Sequence, residues 1–176
     1  MEQAVRKIAL LGMGTVGGGV YEIIEKQKEE MPFKIGAALE VVKVLVRNKA
    51  KYADRIPAEK LTDVWEDVIG DDSIDIVVEV MGGIEPARTY IKAALEKGKH
   101  VVTANKDLMA MHGHELLELA GEHHCDLLFE AAVAGGIPII RPLKQCLAGN
   151  DLTDILGIVN GTTNYILTKM FEDGME

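Results

Sequence analysis

Val5-Arg6-Lys7-Ile8-Ala9-Leu10-Leu11-Gly12-Met13-Gly14-Thr15-Val16-Gly17 decides how the rest of the chain is read. Val5 to Leu11 is a short apolar run of strand character that stops at glycines, and from Val16 to Lys28 the apolar positions Val16, Val20, Ile23 and Ile24 recur at helical spacing. Between strand and helix, Gly12-Met13-Gly14-Thr15-Val16-Gly17 fits the pattern Gly-x-Gly-x-x-Gly. In that setting the first glycine permits a tight turn, the second lets backbone N–H groups approach a pyrophosphate, and the third lets the helix lie close to the sheet. The helix N-terminus then turns its free N–H groups and the positive end of its dipole toward the anion. Gly12, Gly14, Thr15, Val16 and Gly17 are therefore candidate dinucleotide-binding residues. A glycine-rich turn that serves packing alone is the competing explanation.

Working outward, strand and helix patterns keep alternating. Leu39 to Val46 is rich in β-branched residues and forms a second strand, after a loop punctuated by Pro32 and Gly36. Thr62 to Ile69 has the pattern of a short helix capped by Thr62, and Ile74 to Val80 that of a third strand. A Met81-Gly82-Gly83 turn leads into a helix with Pro86 at its first position and a stop at Gly98. His100 to Ala104 is a fourth strand, Gly113 to His123 a helix, Asp126 to Ala131 a fifth strand, and Pro138 opens a helix that ends near Ala148-Gly149. This order predicts an α/β fold of the Rossmann type, a doubly wound, mostly parallel sheet with helices on both faces. Leu152 to Asn160 and Thr163 to Phe171 read as one more strand and helix, the start of a second, α+β region. The expected division is a dinucleotide-binding domain over residues 1–149 and the opening of an incomplete catalytic and dimerisation domain over 150–176.

Composition narrows the function. An apolar content of 48% over 176 residues supports a buried core. The balance of 19 basic against 28 acidic residues, a net charge of −9, disfavours nucleic acid and anionic lipid as partners. The longest apolar stretch, Ala131 to Ile140, holds two glycines and a proline and falls far short of the ~20 residues of a membrane span. Met1 to Lys7 lacks the form of a secretory signal, so a cytoplasmic location is expected. Cys125 and Cys146 form no CxxC motif, lie in apolar surroundings and are expected as small buried hydrophobes. The histidines offer no HExxH pattern, and Trp65 and Tyr90 are expected to pack rather than to stack on a ligand.

The end of the second strand bears on which dinucleotide is bound. An NAD-preferring site places a carboxylate there for the ribose hydroxyls, but Leu45-Val46-Arg47-Asn48-Lys49 has none before Asp54. Arg47 stands in its place, and a guanidinium can pair with a 2′-phosphate while Lys49 and Lys51 add positive charge. This predicts NADP as the preferred cofactor, with NAD as the alternative. A solvated basic loop would account for the same residues.

Several blocks together resemble the homoserine dehydrogenase family. They are Gly12 to Val20, Glu79-Val80-Met81-Gly82-Gly83, Thr103-Ala104-Asn105-Lys106, Glu130 to Ile140 with its Ala-Gly-Gly-Ile-Pro core, and Gly157 to Ile166 with Asn160-Gly161-Thr162-Thr163-Asn164. They follow the family's order across nearly the whole chain. The resemblance implies NAD(P)-dependent interconversion of L-homoserine and L-aspartate 4-semialdehyde, in threonine and methionine biosynthesis, by a cytoplasmic homodimer. By resemblance, Met81, Gly82, Gly83, Thr103, Asn105 and Lys106 contact the cofactor, and Lys106 is one of two active-site lysines. Physically, Met81-Gly82-Gly83 follows a strand at the edge where a doubly wound sheet holds its ligand, and an ammonium at Lys106 can stabilise developing alkoxide charge.

The resemblance further implies a monovalent cation, sodium, held by the Glu130 side chain and the carbonyls of Val133, Gly135 and Ile137. It also implies that Gly161 and Thr162 contact homoserine, although a helix cap at Thr162 or Thr163 explains the same residues. The family's second lysine and its Asp-Pro-containing segment have no counterpart here, so the chain is expected to be a fragment with reduced or no turnover. Two other functions stay in view. A non-catalytic dinucleotide-binding module would bind cofactor without chemistry, and aspartate semialdehyde dehydrogenase would need an activated cysteine that neither Cys125 nor Cys146 resembles.

Overall fold

Strand β1 (Val5–Leu11) is the centre of the fold. Its alternate residues are buried on opposite faces: Ile8 and Leu10 pack with Ile24, Val44 and Ile56, while Ala9 and Leu11 pack with Ile91, Leu95 and Leu116. Burial on both faces is what a parallel sheet between two helical layers requires, and it explains the unbroken apolar run. The computed structural model describes residues 4–158 and 160–174.

Around β1, the strands β2 (Ala38–Leu45), β3 (Leu61–Thr62), β4 (Ile76–Glu79), β5 (His100–Thr103) and β6 (Leu127–Leu128) complete a six-stranded sheet in the order β3-β2-β1-β4-β5-β6. Each neighbouring pair is parallel. This is the doubly wound α/β arrangement expected from the sequence, with the order reversing between β1 and β4. The helices are α1 (Thr15–Lys26), α2 (Met31–Ile35), α3 (Glu66–Ile69), α4 (Ala87–Glu96), α5 (Lys106–Glu122) and α6 (Gly161–Glu172). Sheet and helices α1 to α5 lie in one compact unit that runs to Gly135, and the residues from Gly136 onward form another. The boundary placed at 149/150 from sequence falls inside the second unit.

Several elements depart from the sequence reading, each for a local reason. The segment taken as a helix from Thr62 begins as β3, because Leu61 and Thr62 pair with Val44 and Leu45. The helix itself starts at Glu66, and Thr62 Oγ1 accepts the Val64 N–H at 3.1 Å and donates to Asp67 at 2.5 Å instead of capping it. A two-residue strand is too short for period-2 alternation to register. The loop around Pro32 contains the one-turn helix α2, closed by Gly36 at φ 77°. Pro86 occupies the cap position of α4 after a cis Glu85–Pro86 bond, so the helix begins one residue later than expected.

The largest shift is in α5, which starts at Lys106 and not at Gly113, with Asn105 Oδ1 accepting the Leu108 N–H at 3.2 Å. Gly113 lies inside this helix and is buried. The fifth predicted strand shrinks to Leu127–Leu128 and passes into a 3₁₀ turn over Glu130–Ala132. The cysteines are not buried as expected: Cys125 is half-buried and Cys146 exposed.

In the second unit the helix expected from Pro138 appears as a π-helical turn, Pro142–Cys146. No strand forms over 151–158 among the described residues, and Leu156 is 95% exposed there. Val159 of the expected strand lies outside the described residues. A β-branched sequence favours extended backbone, but a strand exists only where a second strand supplies the ladder. Helix α6 is capped by Asn160, whose Oδ1 accepts the Thr163 N–H at 2.7 Å, so neither Thr162 nor Thr163 is the cap.

Candidate functional site

The three glycines of the first turn carry different physical burdens. Gly12 has φ 98°, and a Cβ there would stand 3.0 Å from the Val80 carbonyl oxygen. A Cβ on Gly17 would come within 2.2 Å of the Gly12 oxygen, so helix α1 lies against the turn at a distance no side chain allows. A Cβ on Gly14 would meet nothing within 4 Å: this position faces open space. Turn, close packing and open approach are thus divided among the three positions as a pyrophosphate cradle requires. Gly14 is also the cap of α1, which has no side-chain cap and no acidic residue in its first turn. Its N-terminal N–H groups thus have no capping side chain, an arrangement that can accept an anion.

The turn closes against the end of β4, at the point where strand order reverses. There the carboxyl ends of β1, β2 and β4 open a cavity of about 490 Å³, within the range of small-molecule sites. Gly12, Gly14, Met81 and Gly82 line it on one side and Arg47, Lys51 and Tyr52 on another. Six residues singled out from sequence, Gly12, Gly14, Arg47, Lys51, Met81 and Gly82, therefore meet at one place. Lys49 does not join them. It pairs with Asp63 at 2.8 Å, a hydrogen bond that holds the Asp63 carboxyl below the ordinary range. The positive charge on the cavity wall is thus that of Arg47 and Lys51, with Lys51 Nζ 5.4 Å above the Tyr52 ring.

Sequence reasoning missed part of the wall. Asp63, Pro86 and Tyr90 line the cavity although they are remote from the glycine turn. Tyr90 stacks on Trp65 with ring centroids 4.2 Å apart and planes 13° from parallel. Both rings pack, as expected, and Tyr90 in addition faces the site. No local pattern marks such residues, because helix α4 and the loop after β3 bring them there through the sheet.

Behind the cavity, the ends of β4 and β5 are tied together. Glu79 is fully buried, and its carboxylate accepts the Met81 N–H at 2.8 Å and the Thr103 hydroxyl at 2.6 Å. Asn105 donates its backbone N–H to Thr103 Oγ1 at 3.0 Å and its side-chain amide to the Gly83 carbonyl at 2.5 Å. Thr103 and Asn105 are buried and do not line the cavity, nor does Gly83; their bonds hold the turns that do. Gly82 and Gly83 both have φ 74°, a conformation that favours glycine at each position. Lys106 is exposed at the first position of α5, next to Asn105. Thr15 and Val16 are exposed in the first turn of α1, and Gly17 is buried beneath it.

The remaining candidates lie elsewhere. Glu130 and Val133 bound the 3₁₀ turn after β6, followed by left-handed backbone at Ala134 (φ 57°) and Gly135 (φ 62°). Ile137, Gly161 and Thr162 belong to the second unit, all exposed, with Gly161 and Thr162 at the start of α6.

Residues 12–130 match the family described as homoserine dehydrogenase, NAD binding domain, and residues 138–176 match the family described as homoserine dehydrogenase. The chain belongs to the homoserine dehydrogenase family. The Bacillus subtilis homoserine dehydrogenase is 49% identical over 168 residues, which are 95% of this chain and 39% of that protein. The Mycobacterium bovis homoserine dehydrogenase is 50% identical over 170 residues, 96% of this chain and 38% of its own length. The chain thus spans about two-fifths of the length of these relatives.

Among solved structures, a Thiobacillus denitrificans homoserine dehydrogenase superposes with a TM-score of 0.86 at 43% identity, over 98% of this chain and 41% of that one. A hyperthermophilic archaeal homoserine dehydrogenase in complex with NADPH gives a TM-score of 0.78 at 30% identity, over 96% of this chain and 57% of its own. The part of the chain that builds the cavity falls wholly within the span matched by the family's NAD-binding domain.

Proposed function

We propose that this chain supplies the cofactor-binding side of an NADP-dependent homoserine dehydrogenase active site, for interconversion of L-homoserine and L-aspartate 4-semialdehyde. The observation that carries this is the cavity where the open Gly14, the turn at Met81-Gly82 and the cations of Arg47 and Lys51 converge. The pyrophosphate lies against Gly12, Gly14 and the N-terminal turn of α1 at Thr15, Val16 and Gly17. Arg47 and Lys51 take the 2′-phosphate, since no carboxylate ends β2 and the guanidinium can form paired hydrogen bonds. The archaeal relative solved with NADPH favours the same choice of cofactor.

When bound, the nicotinamide ring supplies hydride transfer. What the chain contributes is orientation and charge. Met81 and Gly82 bear on the nicotinamide ribose, Gly83 with Thr103 and Asn105 sets the turn behind them, and Lys106 beside it stabilises alkoxide charge on the substrate. Gly161 and Thr162, at the N-terminus of α6, hold the amino-acid end of homoserine. A monovalent cation, sodium, would be held by the Glu130 side chain with the carbonyls of Val133 and Gly135. The left-handed backbone at Ala134, unusual for a residue with a Cβ, supports a loop shaped for a ligand.

The domain division is read as dinucleotide binding over 1–149 and catalysis with dimerisation from 150. A homodimer in the full-length protein belongs to the same reading. Free thiols at Cys125 and Cys146 suit the cytoplasm. No described helix is long and apolar enough to cross a membrane.

Calorimetric titration with NADPH and NADH tests this reading. NADPH binds at least tenfold more tightly, and Arg47→Ala removes most of that margin, on the order of 1.5–3 kcal/mol for a charge-assisted pair, without changing NADH. A tenfold preference for NADH would overturn the assignment of Arg47.

A further inference from the structure

Glu79 is an expensive residue to keep where it is. It ends β4 with 0% exposure, and none of the ion pairs among the described residues involves it. A buried carboxylate without a cation is unfavourable unless hydrogen bonds replace its lost water. Both oxygens are so used: Oε1 accepts from Met81 N at 2.8 Å and Oε2 from Thr103 Oγ1 at 2.6 Å.

The direction of the chain of bonds matters. Thr103 Oγ1 already accepts the Asn105 N–H at 3.0 Å, so its own proton points to Glu79. Asn105 in turn grips the Gly83 carbonyl with its amide and caps α5 through Leu108 N at 3.2 Å. The result is a closed circuit, Met81 to Glu79 to Thr103 to Asn105 to Gly83, that joins the turn after β4 to the residue preceding Lys106. Only a group that accepts on both sides completes it. A glutamine of the same shape would turn an NH₂ toward a donor and leave one proton without an acceptor.

We propose that Glu79 is a positioning residue, which through Thr103 and Asn105 fixes the Met81-Gly82-Gly83 backbone and the start of α5 in one mutual geometry, so that the nicotinamide end of the cofactor and Lys106 are held at a constant separation. The inference rests on the reading that a nicotinamide dinucleotide occupies the cavity between β1 and β4. Its effect is confined to one end of that site: the adenine and 2′-phosphate end is walled by Arg47, Lys51 and Tyr52, none of which touches the circuit.

Two ligands separate the cases. NADPH spans both ends, whereas adenosine 2′,5′-bisphosphate reaches only the Arg47 end. Calorimetric titration of the chain with each is done for wild type, Glu79→Gln, Thr103→Val and Thr103→Ser. Glu79→Gln and Thr103→Val weaken NADPH about tenfold while the bisphosphate changes less than about twofold, and Thr103→Ser, which keeps the hydroxyl, recovers most of the NADPH affinity. Should Glu79→Gln fail to fold, the contrast between Thr103→Val and Thr103→Ser decides alone. Equal weakening of both ligands, or no weakening of NADPH, overturns the positioning role while leaving the cofactor reading intact. A wild-type chain that binds neither ligand overturns the cofactor reading and this inference with it.

Discussion

Gly17→Ala and Gly14→Ala differ by one methyl group each in the same motif, yet the structure sets opposite outcomes for them. At Gly17 the new Cβ falls 2.2 Å from the Gly12 carbonyl oxygen and 3.2 Å from Val80 Cγ2. The first neighbour is backbone in a tight turn with φ 98°, so it cannot rotate away. Helix α1 must lift from the turn by roughly 1 Å to restore van der Waals contact, at an overpacking cost of about 3 kcal/mol. Alanine's better helix propensity returns about 1 kcal/mol, leaving a net loss of about 2 kcal/mol. At Gly14 nothing stands within 4 Å, and the backbone, φ −77° and ψ −154°, is open to any residue. Stability there changes by less than about 0.5 kcal/mol, because the weaker capping by alanine is offset by the lower entropy of the unfolded chain. The same methyl group occupies the approach of the pyrophosphate, so NADPH affinity falls by about tenfold or more. Urea titration followed by the fluorescence of the single tryptophan, Trp65, reads the unit that contains both glycines. A Gly17→Ala chain as stable as wild type, or a Gly14→Ala chain that binds NADPH normally, would refute the division of labour among the glycines.

Glu115 on α5 is gripped by Lys92 and Arg88 of α4, each at 2.7 Å, and these hydrogen bonds bring its carboxyl down to about 2. Because the folded value lies below the ordinary one, its contribution to stability is present above about pH 4.5 and fades as pH falls toward 2. Glu115→Gln flattens that part of an acid-unfolding profile, and an unchanged profile would show the pair to be inert. Lys99 is buried, with Nζ donating to the Asp71 and Ile74 carbonyls at 2.7 and 3.0 Å. Lys99→Met strands both acceptors and lowers stability by about 2 kcal/mol, measurable as a shift in urea midpoint at constant slope. Tyr90→Ala removes the stacking partner of Trp65, lowering stability by at least ~1 kcal/mol and altering tryptophan emission; unchanged emission would contradict the stack.

Which parts were legible follows from the range of the forces involved. That Arg47 borders the cavity was legible because it follows the end of β2, and strand ends face the ligand edge of a parallel sheet whatever the side chains around them. The start of α5 could also have been found. Asn105-Lys106-Asp107 before an apolar run is an N-cap signal, but Gly113 inside the helix drew the boundary downstream. By contrast, nothing near Asp63 or Tyr90 announces that either borders the cavity. Lys49 illustrates the same limit. Its charge looked available beside Arg47 and Lys51, and only its 2.8 Å contact with Asp63 removes it from the wall.

By itself the sequence determined the alternation of strand and helix, the glycine turn and the absence of a carboxylate at the end of β2, since each depends on neighbours a few positions apart: periodicity, φ, and the room for a Cβ. The tertiary structure alone decided that Leu61 and Thr62 are a strand, because a ladder needs a partner brought from elsewhere in the chain. It alone decided, too, that Glu79 is buried and faces Thr103 rather than solvent. The physical reason is the same in both cases: pairing and burial are properties of contacts between residues far apart in the chain, and the order of amino acids along one segment does not contain them.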